Sequence, residues 1–223
     1  MEWLEGALSP IIIGMRFLFD ALYATTGSHG ISIILLSCVV RLALSPVIRL
    51  AARTEERTSA KQRAMEPQLA AIGSSLRGRE RFERIEQIYR EHGYHPIQNA
   101  TAILPLFLQI PFLLAALFLL SKDAQLANQR FVFIRDLLRP DMLIGGAGYS
   151  INVLPILITV VALAESAIKY RGNRGAQARF LIVAVVIALL IYAAPAGVCL
   201  YWLTSNLLSF GRTAFARHSK PNR

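Results

Sequence analysis

The chain is poor in the residues on which much protein chemistry depends. Among its 223 residues are two cysteines and four histidines. Cys38 and Cys199 both fall in apolar runs, which excludes a disulfide framework and a cysteine-based zinc site. His29, His92, His95 and His218 all lie outside those runs. His92 and His95 lack a neighbouring third ligand, so no metal site is expected. There is no phosphate-binding or dinucleotide glycine motif and no apolar run with a Ser/His or paired-Asp arrangement, so neither an enzyme nor a cofactor is expected. Acidic residues are also scarce, 14 against 24 Lys+Arg, and the formal net charge is +10. A pI near 10.2 raises nucleic acid first. That reading needs the basic residues on a solvated face. Here 54% of residues are hydrophobic, 17% are charged, and mean hydropathy is +0.45. A soluble DNA-binding domain and a disordered basic tail are both excluded.

What is present is apolar sequence in blocks long enough to cross a bilayer, which takes ~20 helical residues. Residues 30–50 carry Arg41 in their interior and Arg49 at their end, 100–120 carry no charge, and 150–168 carry only Glu165. Residues 180–210 are uncharged and too long for one span. At their centre Ala194-Pro195-Ala196-Gly197 combines a helix breaker with a turn former. The run is read as two short spans, 180–193 and 196–211; the alternative is one long kinked helix. An earlier stretch, 7–24, contains Arg16 and Asp20 four residues apart, which suits an amphipathic helix in the interface. The residues before it include Glu2 and Glu5 but no Lys or Arg, unlike a signal peptide. The expectation is an all-α membrane protein: five transmembrane helices, about 30–50, 100–120, 150–168, 180–193 and 196–211, behind an N-terminal interfacial helix. Residues 1–212 form one core and 213–223 a basic tail.

Charge sets the orientation. Residues 49–95 hold ten basic and seven acidic residues, 169–179 four basic and none acidic, and 212–223 four basic and none acidic. That is +11 on one side, against −1 for the N-terminal stretch and the 122–141 loop. The positive-inside rule puts the N-terminus outside and the C-terminus in the cytoplasm. Within the first cytoplasmic segment, Met65, Leu69, Ile72 and Leu76, then Phe82, Ile85, Tyr89 and His92, recur at helical spacing. Glycines at 73 and 78 separate the two seams and Gly93 ends the second. The spacing predicts an antiparallel helical hairpin over about 53–92. Met65, Leu69 and Tyr89 are candidate residues for docking a client or partner; the alternative is a pair of solvated helices.

Arg41 lies near the centre of the first span, where a charge costs ~2.5–3.5 kcal/mol, so it should face protein or water. Ser37, one turn away, shares its face. Gln109, Glu165 and Asn206 put polar groups on three other spans, as an internal aqueous cavity requires. The alternatives are an Arg41–Glu165 ion pair and ordinary interhelical hydrogen bonds.

Four stretches resemble the YidC family of membrane protein insertases. They are 33–46 (IILLSCVVRLALSP), 89–111 (YREHGYHPIQNATAILPLFLQIP), 154–157 (LPIL), and Pro195-Ala196-Gly197 through Leu200-Tyr201-Trp202 to Ser205-Asn206. They follow the family's order and cover roughly 8–212. The resemblance implies a five-helix insertase core whose arginine, here Arg41, lines a hydrophilic groove open to cytoplasm and lipid. Gln109, Glu165 and Trp202 then line or border the groove, with Ser37 and Asn206. Glu165 departs from the pattern, which more usually has an uncharged polar residue there, and a carboxylate could reduce the pull of Arg41 on acidic clients. The implied partners are nascent membrane proteins, the lipid bilayer and the general secretion translocon. The basic loops and tail could contact ribosomal RNA, and the protein is expected to act as a monomer. The alternative function is a small ion or solute transporter using the Arg41/Glu165 pair. Against it, five spans do not divide into two repeats.

Overall fold

The computed structural model describes residues 2–75, 77–95, 104–146, 149–171 and 174–218. Leu76 of the expected seam, residues 96–103 at the entry to the second apolar run, and residues 219–223 of the tail lie outside the described residues. The chain is mostly helical: α1 Glu2–Thr26, α2 His29–Ser75, α3 Gly78–Glu91, α4 Leu104–Lys122, α5 Val153–Lys169, α6 Arg174–Ile191 and α7 Ala196–His218. It divides into two compact units, one formed by 1–43 with 111–223 and the other by 44–110. Two helices, over Trp3–Thr26 and His29–Ile72, are long and apolar enough to cross a membrane, and Leu108–Lys122 and Phe180–Ile191 are shorter apolar helices.

In the first unit α5 packs against both α6 and α7. The uncharged 180–210 run is divided: α6 ends at Ile191 and α7 begins at Ala196, directly after Pro195. Buried side chains step along one face of each packed helix. Ile33, Leu36, Ser37 and Val40 do so on α2, Ala115, Ala116, Leu119 and Leu120 on α4, and Leu154 and Ile158 on α5. Their other faces leave large apolar side chains exposed, such as Leu42, Val160 and Leu190. In water that arrangement would be costly; in lipid it is the matching surface.

α1 is longer than the 7–24 helix expected, starting at Glu2 and running on to Thr26 with Pro10 inside it. Gly27, at φ +64, stops it, with its N–H bonded to Tyr23 O at 2.8 Å. Leu8, Met15 and Phe19 are buried on one face, while Trp3, Ile13 and Phe17 are exposed. Lys122 Nζ donates to Glu5 at 2.5 Å, and Arg16 donates to Asp123 at 2.6 Å. Glu5 and Arg16 are three turns and ~16 Å apart along α1, yet both meet neighbouring residues at the C-terminal end of α4. That is the arrangement of a helix laid across the end of α4, not one running beside it.

The 123–152 loop is a built cap and departs from the all-helical expectation. It contains a two-stranded antiparallel hairpin, Ile144–Gly146 with Tyr149–Ile151, in which Ile144 pairs with Ile151. Leu126 and Leu137 are wholly buried. Asp141 Oδ2 accepts from the N–H groups of Val153 (2.6 Å) and Leu154 (3.2 Å), capping α5 from twelve residues before its first residue. The N–H groups of Ala196 and Gly197 donate to Arg139 O and Leu137 O, each at 2.8 Å. Asn152 Nδ2 donates to Tyr192 O at 2.7 Å. The orphan donors at the starts of α5 and α7 are thus satisfied by one loop. Close approach explains two glycines. A Cβ at Gly30 would lie 2.1 Å from the Phe131 ring, and one at Gly197 would lie 3.1 Å from Leu137 O.

In the second unit α2 continues without interruption past residue 53, where the hairpin was expected to begin, and carries Pro46 and Pro67 inside. Its 47 residues are more than twice a bilayer crossing. Gly78, at φ +63, opens α3. Met65, Ile72, Ile88 and Tyr94 form the buried cluster between the helices, with Leu69, Ile85 and Tyr89 packed against it. Lys61 Nζ donates to Gly93 O at 2.6 Å, and Gln62 donates to Tyr94 Oη at 3.1 Å. The seam on α3 is thus Ile85, Ile88 and Tyr89. Phe82 is 68% exposed and outside it. The outer face of α3 carries Arg79–Glu83 at 2.7 Å and Arg90–Glu86, and the hydrogen bond to Glu86 holds the Arg90 guanidinium above its ordinary value. Such exposed pairs add little stability.

Candidate functional site

The polar residues picked out in the first unit lie along two helices and the helix between them. On α2 the 3.6-residue repeat brings Ser37 and Arg41 to one face, and both are buried, Ser37 to 1% and Arg41 to 9%. Ser37 Oγ donates to Tyr201 O at 2.8 Å, which fixes this face of α2 against α7 beside the buried Trp202. The charged groups within electrostatic reach of Arg41 are Arg212 and Glu165. A guanidinium buried in an apolar helix, with a like and an opposite charge nearby, is a polar site in an otherwise apolar setting.

Glu165, on α5, is engaged by α7. Its Oε1 accepts from Ser209 Oγ at 2.8 Å and from Thr213 Oγ1 at 2.9 Å. Ser209 and Thr213 were missed in the sequence, although the signal was there. Trp202, Asn206, Ser209 and Thr213 step by 4, 3 and 4 and so form one stripe of α7. Asn206 is half-buried on that stripe. Because Thr213 bonds to α5 and α7 runs on to His218, the expected boundary at 212–213 falls within a packed helix.

Gln109 is half-buried on α4, within the second unit. Met65, Leu69 and Tyr89 are also there. Met65 is 1% exposed, and Leu69 and Tyr89 are half-buried and pack on the same cluster between α2 and α3. Among the described residues no group of three or more His, Cys, Asp or Glu could hold a metal ion.

The family model described as 60Kd inner membrane protein matches residues 21–223. The chain is 33% identical over 201 residues to the membrane protein insertase YidC of Chlamydia muridarum, covering 82% of this chain and 25% of that protein. It is 24% identical over 218 residues to the membrane protein insertase YidC of a Janthinobacterium species, covering 94% of this chain and 37% of the relative. The chain therefore spans a quarter to just over a third of these relatives' length. Among solved structures, one described as an active YidC insertase with its first transmembrane domain resolved superposes with a TM-score of 0.62 at 21% identity. That match covers 96% of this chain and 47% of the other. With the matched segment reaching from within α1 to the end of the chain, the protein belongs to the YidC family of inner membrane proteins.

Proposed function

We propose that this chain is a membrane protein insertase of the bacterial inner membrane. In this reading α2, α4, α5, α6 and α7 cross the bilayer with the N-terminus outside, α1 lies in the outer interface, and the α2–α3 hairpin projects into the cytoplasm. The observation that carries the reading is Arg41, a guanidinium buried in an apolar helix whose neighbouring serine is bonded to α7. Family membership, the +11 against −1 charge division and the placement of α1 across the end of α4 support it. Arg41, Ser37, Glu165, Trp202 and Asn206 would line or border a groove for polar client segments.

Physically, the polar end of a nascent segment enters hydrocarbon only at high cost. A hydrated groove shortens the apolar distance. Arg41 would hold an acidic or polar tail briefly in a low-dielectric surround, where Coulomb attraction is strong. The adjoining apolar segment would then leave sideways, driven by ~25 cal/mol for each Å² removed from water. The short apolar part of α6, Phe180–Ile191, would thin the bilayer locally. Basic loops facing the cytoplasm would favour the ribosome's phosphates and anionic lipid, and cooperation with the secretion translocon belongs to the same reading.

The test is insertion of a single-span client with an acidic tail into proteoliposomes. Arg41→Ala should slow insertion several-fold, and Arg41→Lys should restore part of the rate. Full insertion by the Ala variant would overturn the groove mechanism. Ion flux without insertion would favour a transporter.

A further inference from the structure

Two contacts set the register of α2 against α7. A Cβ at Gly197 would lie 3.3 Å from Ile33 Cδ1. One turn further along both helices, Ser37 Oγ donates to Tyr201 O at 2.8 Å. Ile33 to Ser37 and Gly197 to Tyr201 are equal steps of one turn, so the two helices run parallel and in step here. The next turn puts Arg41 level with Ser205, and both are buried.

The same face of α7 carries a second arginine. A helix turns ~100° per residue, so Arg212 comes round to within about 20° of Tyr201, roughly three turns on. It stands ~10 Å along the axis beyond Ser205, and so beyond the level of Arg41. Cover changes along this face. Tyr201 and Ser205 are buried, whereas Leu208, Arg212 and Phe215 are exposed. A Cβ at Gly211, beside Arg212, would meet no atom within 4 Å. Ser209 and Thr213, which hold Glu165, lie on the flank of this face. Arg212 is therefore near enough to act on Arg41 electrostatically, yet it lies at the open end of a face that is closed at Arg41.

We propose that Arg212 is a client-binding residue, which meets the acidic end of a nascent segment at the open end of this face before that end reaches Arg41. A carboxylate drawn directly to a buried guanidinium must shed its water before most of the attraction is felt. At exposed Arg212 the pair forms in solvent first, and the carboxylate then has ~10 Å of helix to travel inward to the second cation. Two arginines in file make the route selective for acidic ends. Their contributions differ in kind, since salt screens an exposed charge far more than a buried one. The inference rests on the insertase reading and adds to it an order of contact and a preference among clients.

The test uses the full chain in proteoliposomes without ribosomes, and two single-span clients that differ only in carrying Asp or Asn in the translocated tail. The quantity read is the ratio of their initial insertion rates. Arg212→Gln should lower the acidic-to-neutral ratio several-fold at about 0.05 M salt and leave it at the wild-type value at about 0.5 M, where the wild-type advantage is itself screened. Arg212→Lys should keep the ratio at both. The defect of Arg41→Ala should persist at both salt concentrations. An unchanged ratio in Arg212→Gln at low salt, a fall that persists at high salt, or an effect confined to ribosome-bound clients would each overturn the proposal. If Arg41→Ala is slowed while Arg212→Gln keeps its ratio, this inference fails and the insertase reading stands. Full insertion by Arg41→Ala with a lowered ratio in Arg212→Gln would sink the groove mechanism and leave Arg212 as the client contact.

Discussion

Glu165 brings a negative charge to within reach of Arg41, yet its Oε1 is held by Ser209 and Thr213 on the neighbouring helix. Charge and hydrogen bonding can therefore be separated by mutation. Glu165→Gln keeps an acceptor oxygen for both hydroxyls and removes the charge. Insertion assays should then show faster uptake of clients with acidic tails, and thermal unfolding should change little. Glu165→Ala removes the acceptor as well, and unfolding should show a loss of ~1–3 kcal/mol, the cost of leaving buried polar groups unsatisfied. Equal effects of the two variants would mean that only the charge matters. Arg41 and Ser37 were legible from sequence because a charge in an apolar run needs a polar face. Ser209 and Thr213 were not, because Thr204-Ser205-Asn206 is conspicuous as a cluster, whereas the i, i+4 stripe emerges only on a helical projection.

Among the elements, α2 and α3 form a unit with its own small core. Ile88→Ala should cost ~2–5 kcal/mol locally, the range for large-to-small core changes. Hydrogen exchange would read this as faster exchange in α3, with α5–α7 unaffected. Phe82→Ala, at an exposed position, should stay within ~0.5 kcal/mol. Element boundaries were legible where composition changes abruptly, as at Pro195. They were not where a helix simply continues. After Leu50 the sequence turns from apolar to charged, but nothing there breaks a helix, and Pro67 gives up only one backbone hydrogen bond without ending α2. The 123–152 cap was invisible for a different reason. It is held by contacts such as Asp141 to Val153 and Leu137 to Gly197, which have no periodicity to detect.

For the whole molecule, the charge division makes a direct prediction. In a background of Cys38→Ala and Cys199→Ala, Arg81→Cys should react with an impermeant thiol reagent only from the cytoplasmic side of the membrane. Phe133→Cys, at an exposed tip of the 123–152 loop, should react only from outside. Labelling of both from one side would refute the five-span topology. Membrane class and basic-side bias could be read from sequence because they are sums over many residues. Closure of the fold could not, because it depends on a few polar contacts that converge on α7. Ser37 binds α7 from α2, Leu137 and Arg139 receive its first N–H groups, and Glu165 receives its hydroxyls. Among the described helices, α7 is synthesised after α2 and α5. Until it is made, the serine, two carbonyls and the carboxylate already synthesised wait for their partners. On the proposed reading the groove would therefore be assembled in one late step, and a chain still short of residue 196 would have no working site to offer a client.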